Sequence, residues 1–382
     1  MSKPHTLSEP ASVNARPDLT ESDYAAASAA LRAGQFGHGA ATDQFERSVA
    51  AHLGVDDVVA VSSGTAALQI ALTVAGIHRG DEVIVPSMTY CASIHAILAG
   101  GARPRFIEVD PTTLCVTAET VVEALTTRTR AVMPVLYGGR AVDLAAIHQL
   151  LDARGISVVE DAAHAFGSSV GTRLVGTAGL LTCFSFGPIK NLTCIEGGAI
   201  VPRTPSEAAA ARRLRALGIA ASQAHRIATT TYTVDSAGLR ATMSAVHAAV
   251  GCSQLERFAR SAAHRRELWR TYRDQLHGLD GVKLIDVDVE NSVPFNCVVR
   301  VHRGARDRLH TRMRDNGIGV GVHYPPNHLQ PAFRRWHRPL PVTERVGREI
   351  LSLPFHPAMT ALDVEHVVCQ LRGALDSEGS TR

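Results

Sequence analysis

Residues 183–200, CFSFGPIKNLTCIEGGAI, hold Lys190, one of only three lysines among the 39 basic residues of the chain. Lys3 stands in a polar N-terminal stretch and Lys283 two residues after Gly281. Just before Lys190, TCFSFG (182–187) alternates in the period of a strand, and Gly187 and Pro188 then stop regular pairing. Lys190 is therefore expected on a bend at a strand end, among apolar neighbours. Desolvation there lowers the pKa of an amine and frees it as a nucleophile toward a carbonyl. Arginine, always protonated, cannot take that role. The plainer alternative is a surface lysine whose stem lies along apolar residues.

Working outward, short β-branched runs alternate with helical periodicity. DVVAVSS (57–63), DEVIVP (81–86), RPRFIEVD (103–110), RAVMPVLY (130–137) and ISVVED (156–161) read as strands. The intervening segments, beginning at Thr65, Ala92, Thr117 and Val142, read as helices. That alternation predicts an α/β fold with a mostly parallel sheet covered on both faces. Two amphipathic helices are expected from Glu21 to Gly54, and a further one from Ala208 to Leu217. After the polar stretch 218–238, a long helix from about Thr242 to Leu276 is expected, then strands near Val282 and Phe295–Val301 and helices near Asp307–Asn316 and after LSLPFHP. The division this suggests is a polar tail at 1–17, a large domain at 18–235 and a smaller C-terminal α+β domain at 236–382.

Composition narrows the function. A net charge of +3, with both signs interspersed, gives no footprint for nucleic acid. The first residues show no apolar signal core, and no run reaches the length of a membrane span. Seven scattered cysteines without a CxxC fit reduced thiols and a cytoplasmic setting. Five histidines fall between His302 and His337 without HExxH or zinc-finger spacing, so no metal is expected from the sequence.

Two further segments carry chemistry. In VSSGTAALQIAL a strand ends at Ser62 or Ser63, Gly64 turns, and Thr65 opens a helix. The free amides at such a helix start attract phosphate, although a plainly capped helix has the same sequence. In VVEDAAHAFGSS, Asp161 closes a buried strand at the edge where open α/β sheets bind ligands. A carboxylate there calls for a cation or for nearby backbone amides. Together, a phosphate site, a strand-end aspartate and a strand-end lysine are the parts pyridoxal 5′-phosphate (PLP) needs.

The blocks SSGTAALQIAL, DEVIVPSMTYCASIHAI, VVEDAAHAFGS, FSFGPIKNLTCIEGGAI, AAVGCSQLERF, VHYPPNHLQPAF and LSLPFHPAMT resemble the DegT/StrS family of fold-type-I sugar aminotransferases, over about Asp18 to Leu371. The resemblance implies that Lys190 takes PLP covalently as a Schiff base and that Asp161 pairs with the ring nitrogen. It places His164 near the ring, Tyr90 stacked on it, and Gly64, Thr65 and Ser185 at the phosphate, where the helix start itself also offers the Ser63 hydroxyl. It puts His323 and Tyr324 in a loop near the sugar site; His328, in the same proline-rich segment, reads as a substrate-loop or a packing residue. The family works as homodimers with shared active sites, taking an amino group from an amino-acid donor such as glutamate to a keto-sugar, commonly a nucleotide-linked one. Where the family reads Gly-Tyr-Asn-x-Arg-Met, this chain has Gly238-Leu239-Arg240-Ala241-Thr242-Met243. Arg240 could serve the cofactor phosphate, but the substrate side is altered, which leaves a cyclitol or natural-product ketone, or a non-catalytic PLP-binding role, as alternatives.

Overall fold

The computed structural model describes residues 10–219, 229–302 and 304–379. Most of the expected tail (1–9), together with Lys3, and part of the polar stretch lie outside the described residues. The first described residues are anchored. Ala11 is buried, its carbonyl accepts the Gly319 N–H, and Asn14 Nδ2 donates to the carbonyls of Ser352 and Leu353.

Helices α1 (Glu21–Arg32) and α2 (Ala40–Leu53) lead into β1 (Val59–Val61) and α3 (Gly64–Val74). Then come β2 (Glu82–Pro86), α4 (Cys91–Ala99), β3 (Arg103–Ile107), α5 (Ala118–Ala124), β4 (Thr129–Val132), α6 (His148–Ala153) and β5 (Ser157–Asp161). A small hairpin, β6 (Ser169–Val170) and β7 (Arg173–Leu174), precedes β8 (Leu181–Ser185), β9 (Gly198–Val201) and α7 (Pro205–Arg215). The main sheet runs β1-β9-β8-β5-β4-β2-β3, with β9 antiparallel to both neighbours and the other pairings parallel. Alternation along β2 shows why it is covered twice. Val83 and Val85 join a core with Leu68, Ile70 and Phe106, while Ile84 faces Val132, Val158 and Leu151 on the other side.

The long C-terminal helix expected from the sequence is two helices, α8 (Ala245–Glu256) and α9 (Phe258–Leu276). Their break is Arg257, at φ −108°, ψ 5°. Its guanidinium reaches Asp18 (2.6 Å) and Asp23 (2.7 Å) on the N-terminal segment, a long-range pairing that helical periodicity does not register. The expected helix 142–155 shrinks to a 3₁₀ turn, Ala145–Ile147, and α6, because Asp143 Oδ1 accepts the Ala145 N–H and starts the turn late. Strand β4 ends before Pro134, which lacks an N–H, and the chain rejoins the sheet only as a bridge between Val135 and Asp161.

Residues Met243, Ala248, Phe258 and Ala262 share a core with Phe45, Phe166 and Phe186. From Leu268 the chain enters another core, built with β10 (Val282–Leu284), β11 (Cys297–Val301), α10 (Arg306–Asp315), β12 (Ile350–Leu353) and α12 (Ala361–Gly379). There β11 pairs antiparallel with both β10 and β12. Between α10 and β12 lie two 3₁₀ turns, Asn327–Leu329 and Pro331–Trp336, and α11 (Pro341–Glu349).

Candidate active site

A cavity of about 450 Å³ opens where β1, β2, β5 and β8 end together. Strand β8 ends at Ser185, and the chain then turns over 187–190, Lys190 N–H donating to the Gly187 carbonyl (3.2 Å). Next in sequence, buried Asn191 fixes that turn: its Nδ2 donates to the carbonyls of His164 (3.2 Å) and Val293 (2.9 Å). Lys190 Nζ then lies 4.5 Å from the centroid of the Phe295 ring. The side chain keeps some contact with solvent through the cavity. Even so, the surrounding protein lowers its pKa to about 8, burial outweighing the opposing pull of the Asp161 carboxylate.

Asp161 closes β5 and is 5% exposed. Burial raises its pKa; the Ser93 hydroxyl, donating to Oδ2 at 2.6 Å, the Ala163 N–H (3.2 Å to Oδ1) and the charge of Lys190 hold it back. Burial, and secondarily the charges of Lys190 and His323, hold His164 well below its usual pKa, so its imidazole is neutral. The ring stacks on Phe295 at 3.9 Å, and its Nε2 lies 3.2 Å from the Tyr324 hydroxyl. Its buried Nδ1 finds no partner among the described residues.

The opposite wall is the start of α3. Ser63 Oγ caps it by accepting the Ala66 N–H (3.1 Å). The first intrahelical bond runs from Ala67 N–H to the Ser63 carbonyl, so the amides of Gly64 and Thr65 have no acceptor within the helix. Glycine is required at 64 by close approach. A Cβ there would stand 2.7 Å from Ser185 Cβ.

Ser63, Gly64, Thr65, Tyr90, Asp161, His164, Ser185, Lys190, His323 and Tyr324 thus line one cavity. Tyr90 sits at its mouth, 58% exposed, with its ring 5.6 Å from that of Tyr324. Two expected residues do not reach it. Arg240 is exposed, on a bridge with Ala216. His328 is fully buried elsewhere, between Ser87 and Glu344. Sequence reasoning missed Ser93, Asn191, Glu196 and Phe295. Ser93 had a signal, a lone hydroxyl on the apolar α4 one turn from Tyr90. Phe295 had none, since only the tertiary fold brings it under His164.

These residues fit PLP. The cavity offers an amine of lowered pKa, a buried carboxylate, a helix N-terminus with free amides, and a buried imidazole nitrogen without a partner among the described residues, the mark of a group that a ligand completes.

Residues 17–372 match the DegT/DnrJ/EryC1/StrS aminotransferase family. Among solved structures, the chain is 36% identical to the aminotransferase TlmJ from Streptoalloteichus hindustanus (TM-score 0.89; 96% of this chain and 99% of that one covered). It is 35% identical to DesV from S. venezuelae, solved in complex with a ketimine intermediate (TM-score 0.85; 92% and 93% covered). It is 28% identical to the sugar aminotransferase CalS13 from Micromonospora echinospora (TM-score 0.87; 94% and 99% covered). The chain belongs to the DegT/DnrJ/EryC1/StrS aminotransferase family.

Proposed function

We propose that this chain is a PLP-dependent aminotransferase that moves an amino group from an amino-acid donor, glutamate, to a keto group of a sugar, carried as a nucleotide-linked keto-deoxyhexose. The observation that carries the reading is the meeting of Lys190, Asp161 and the α3 N-terminus in one cavity. Its likeness to a sugar aminotransferase supports the acceptor class.

PLP, when bound, supplies an aldehyde that condenses with amines and a ring that takes up the electron pair released at the donor's Cα. Lys190 Nζ would hold the aldehyde carbon. Once displaced by the donor, and neutral for a large fraction of the time at its lowered pKa, Nζ would take the proton from the donor's Cα. Asp161 would hold a proton on the ring nitrogen, its charge kept by Ser93. The Gly64 and Thr65 amides, with the Ser63 and Ser185 hydroxyls, would bind the phosphate. Tyr90 would cover one ring face, neutral His164 would meet the ring from within, and His323 and Tyr324 would border the sugar.

The same reading includes a homodimer. Exposed Phe36, Tyr232, Val234 and Leu239 supply apolar surface for it, and Arg240 would serve the phosphate of a second copy. Seven free cysteines support a cytoplasmic setting, and among the described residues no helix is long and apolar enough to cross a membrane. Leu239 and Thr242, replacing the tyrosine and arginine of the family pattern, favour as a second reading a cyclitol or natural-product ketone as acceptor.

The test is sequential. Borohydride reduction of the PLP-loaded protein should fix the cofactor on the peptide containing Lys190, and Lys190→Ala should abolish that adduct. Glutamate should then discharge the visible band, and a panel of keto-sugar nucleotides and cyclitol ketones should restore it. An adduct surviving Lys190→Ala, or a band that no amino donor changes, overturns the reading.

A further inference from the structure

Away from the cavity, the fold brings together three metal-ligating side chains that are nine and seven residues apart in sequence: His328, His337 and Glu344. Their donor atoms all lie within 4.8 Å of one another. The His328 side chain is fully buried, Glu344 is 27% exposed, and His337 is open to solvent. The His328 and His337 rings are 5.5 Å apart, and His328 Nε2 is 3.4 Å from Glu344 Oε1.

We propose that His328, His337 and Glu344 form a binding site for a divalent cation of the zinc class, a structural clip that ties the 323–328 loop to the start of α11. Two imidazoles and one carboxylate make a borderline donor set, which suits zinc and leaves a fourth position for water. The inner ligand is already oriented. His328 Nδ1 is 2.6 Å from Ser87 Oγ, which can accept a hydrogen bond from Nδ1–H and so leave the Nε2 lone pair facing Glu344. Without the ion, the neutral imidazole can instead donate Nε2–H to Glu344 and accept the Ser87 hydroxyl at Nδ1; on binding, the ring proton shifts to Nδ1 and the cation takes the Nε2 lone pair, with no net release of a proton. Glu344 is braced too, its Oε1 accepting the Leu340 N–H at 3.1 Å. Glu108, fixed by the amides of Val342 (3.0 Å) and Thr343 (2.7 Å), adds negative charge beside the site.

Tetrahedral zinc needs donor atoms about 3.4 Å apart. The exposed His337 ring therefore has at most about 1.4 Å to close by rotation, the difference from the observed 4.8 Å limit. The clip would act where it matters to the cavity. Asn327, next to His328, donates Nδ2 to the carbonyls of Ser87 (3.0 Å) and Thr89 (2.7 Å), so an ion held by His328 also steadies the segments carrying Tyr324 and Tyr90.

The experiment uses the PLP-loaded protein, stripped of metal by chelation and titrated with zinc against a chromophoric chelator, with cobalt as a spectroscopic replacement. One equivalent is expected to bind, giving intense visible cobalt bands, and zinc should raise the urea midpoint. His337→Ala, at an exposed position, and Glu344→Gln, at a half-buried one, should each weaken binding at least tenfold and remove the cobalt bands and the zinc-dependent stabilisation. Binding of equal strength in both variants would place the metal elsewhere, for example on exposed Cys369, and overturn the proposal. So would failure of the wild type to hold zinc at micromolar concentration. Neither result bears on whether Lys190 carries PLP, so the two readings fail separately.

Discussion

Replacing Asp161 by Asn should lower, not raise, the pH at which Lys190 captures an aldehyde. The Lys190 amine has its pKa brought from 10.5 to about 8 by burial, while the Asp161 carboxylate pulls in the opposite direction. At pH 7.5 a group with its midpoint at 8 is about one quarter neutral, whereas an ordinary lysine is about one part in a thousand neutral, a ratio of about 240. Loss of one partly screened opposite charge shifts a midpoint by roughly one pH unit, so the variant should titrate near ~7 and be about three quarters neutral at pH 7.5. The assay is the pH dependence of imine formation between cofactor-free protein and salicylaldehyde. That probe has no ring nitrogen, so the loss of a pyridinium partner does not interfere. With only Lys3 and Lys283 as competing lysines, and Lys190→Ala as control, the signal is assignable. Capture at pH 7.5 should rise about threefold in Asp161→Asn. A wild-type midpoint near 10, or an upward shift in the variant, would refute the reasoning.

Gly64→Ala should keep the fold but lose PLP affinity at least tenfold in a fluorescence titration, because the new Cβ, 2.7 Å from Ser185 Cβ, displaces the phosphate-side wall. Ser93→Ala removes the 2.6 Å hydrogen bond that opposes the upward shift of Asp161, a bond to a charged group worth about 1.5–3 kcal/mol. Since Asp161 then protonates at higher pH, the acid limb of PLP binding should move to higher pH, and an unmoved limb would show that Ser93 does not tune the carboxylate.

Much of the site was legible because its signals are local. The glycine and proline before Lys190, the strand end at Asp161 and the strand-to-helix turn at Ser63–Thr65 each depend on periodicity and turn chemistry within a few residues. The structure places all of them on the same cavity. Family motifs carried the argument on to Tyr90, His164, Ser185, His323 and Tyr324, but could not say where Arg240 and His328 point within one chain.

What the tertiary structure alone decided lies at long range. Ser93 meets Asp161 across 68 residues, and Asn191 anchors the lysine turn to Val293 across 102. Arg257 breaks a helix that periodicity would continue, by reaching aspartates more than 230 residues away. His328, His337 and Glu344 follow no metal-ligand spacing, yet converge because two 3₁₀ turns fold back onto α11. Backbone preference and hydrophobic period are set by near neighbours, so a sequence states them directly. The partners that orient a buried lysine, carboxylate or imidazole come from distant strands and loops, and only packing brings them within bonding distance.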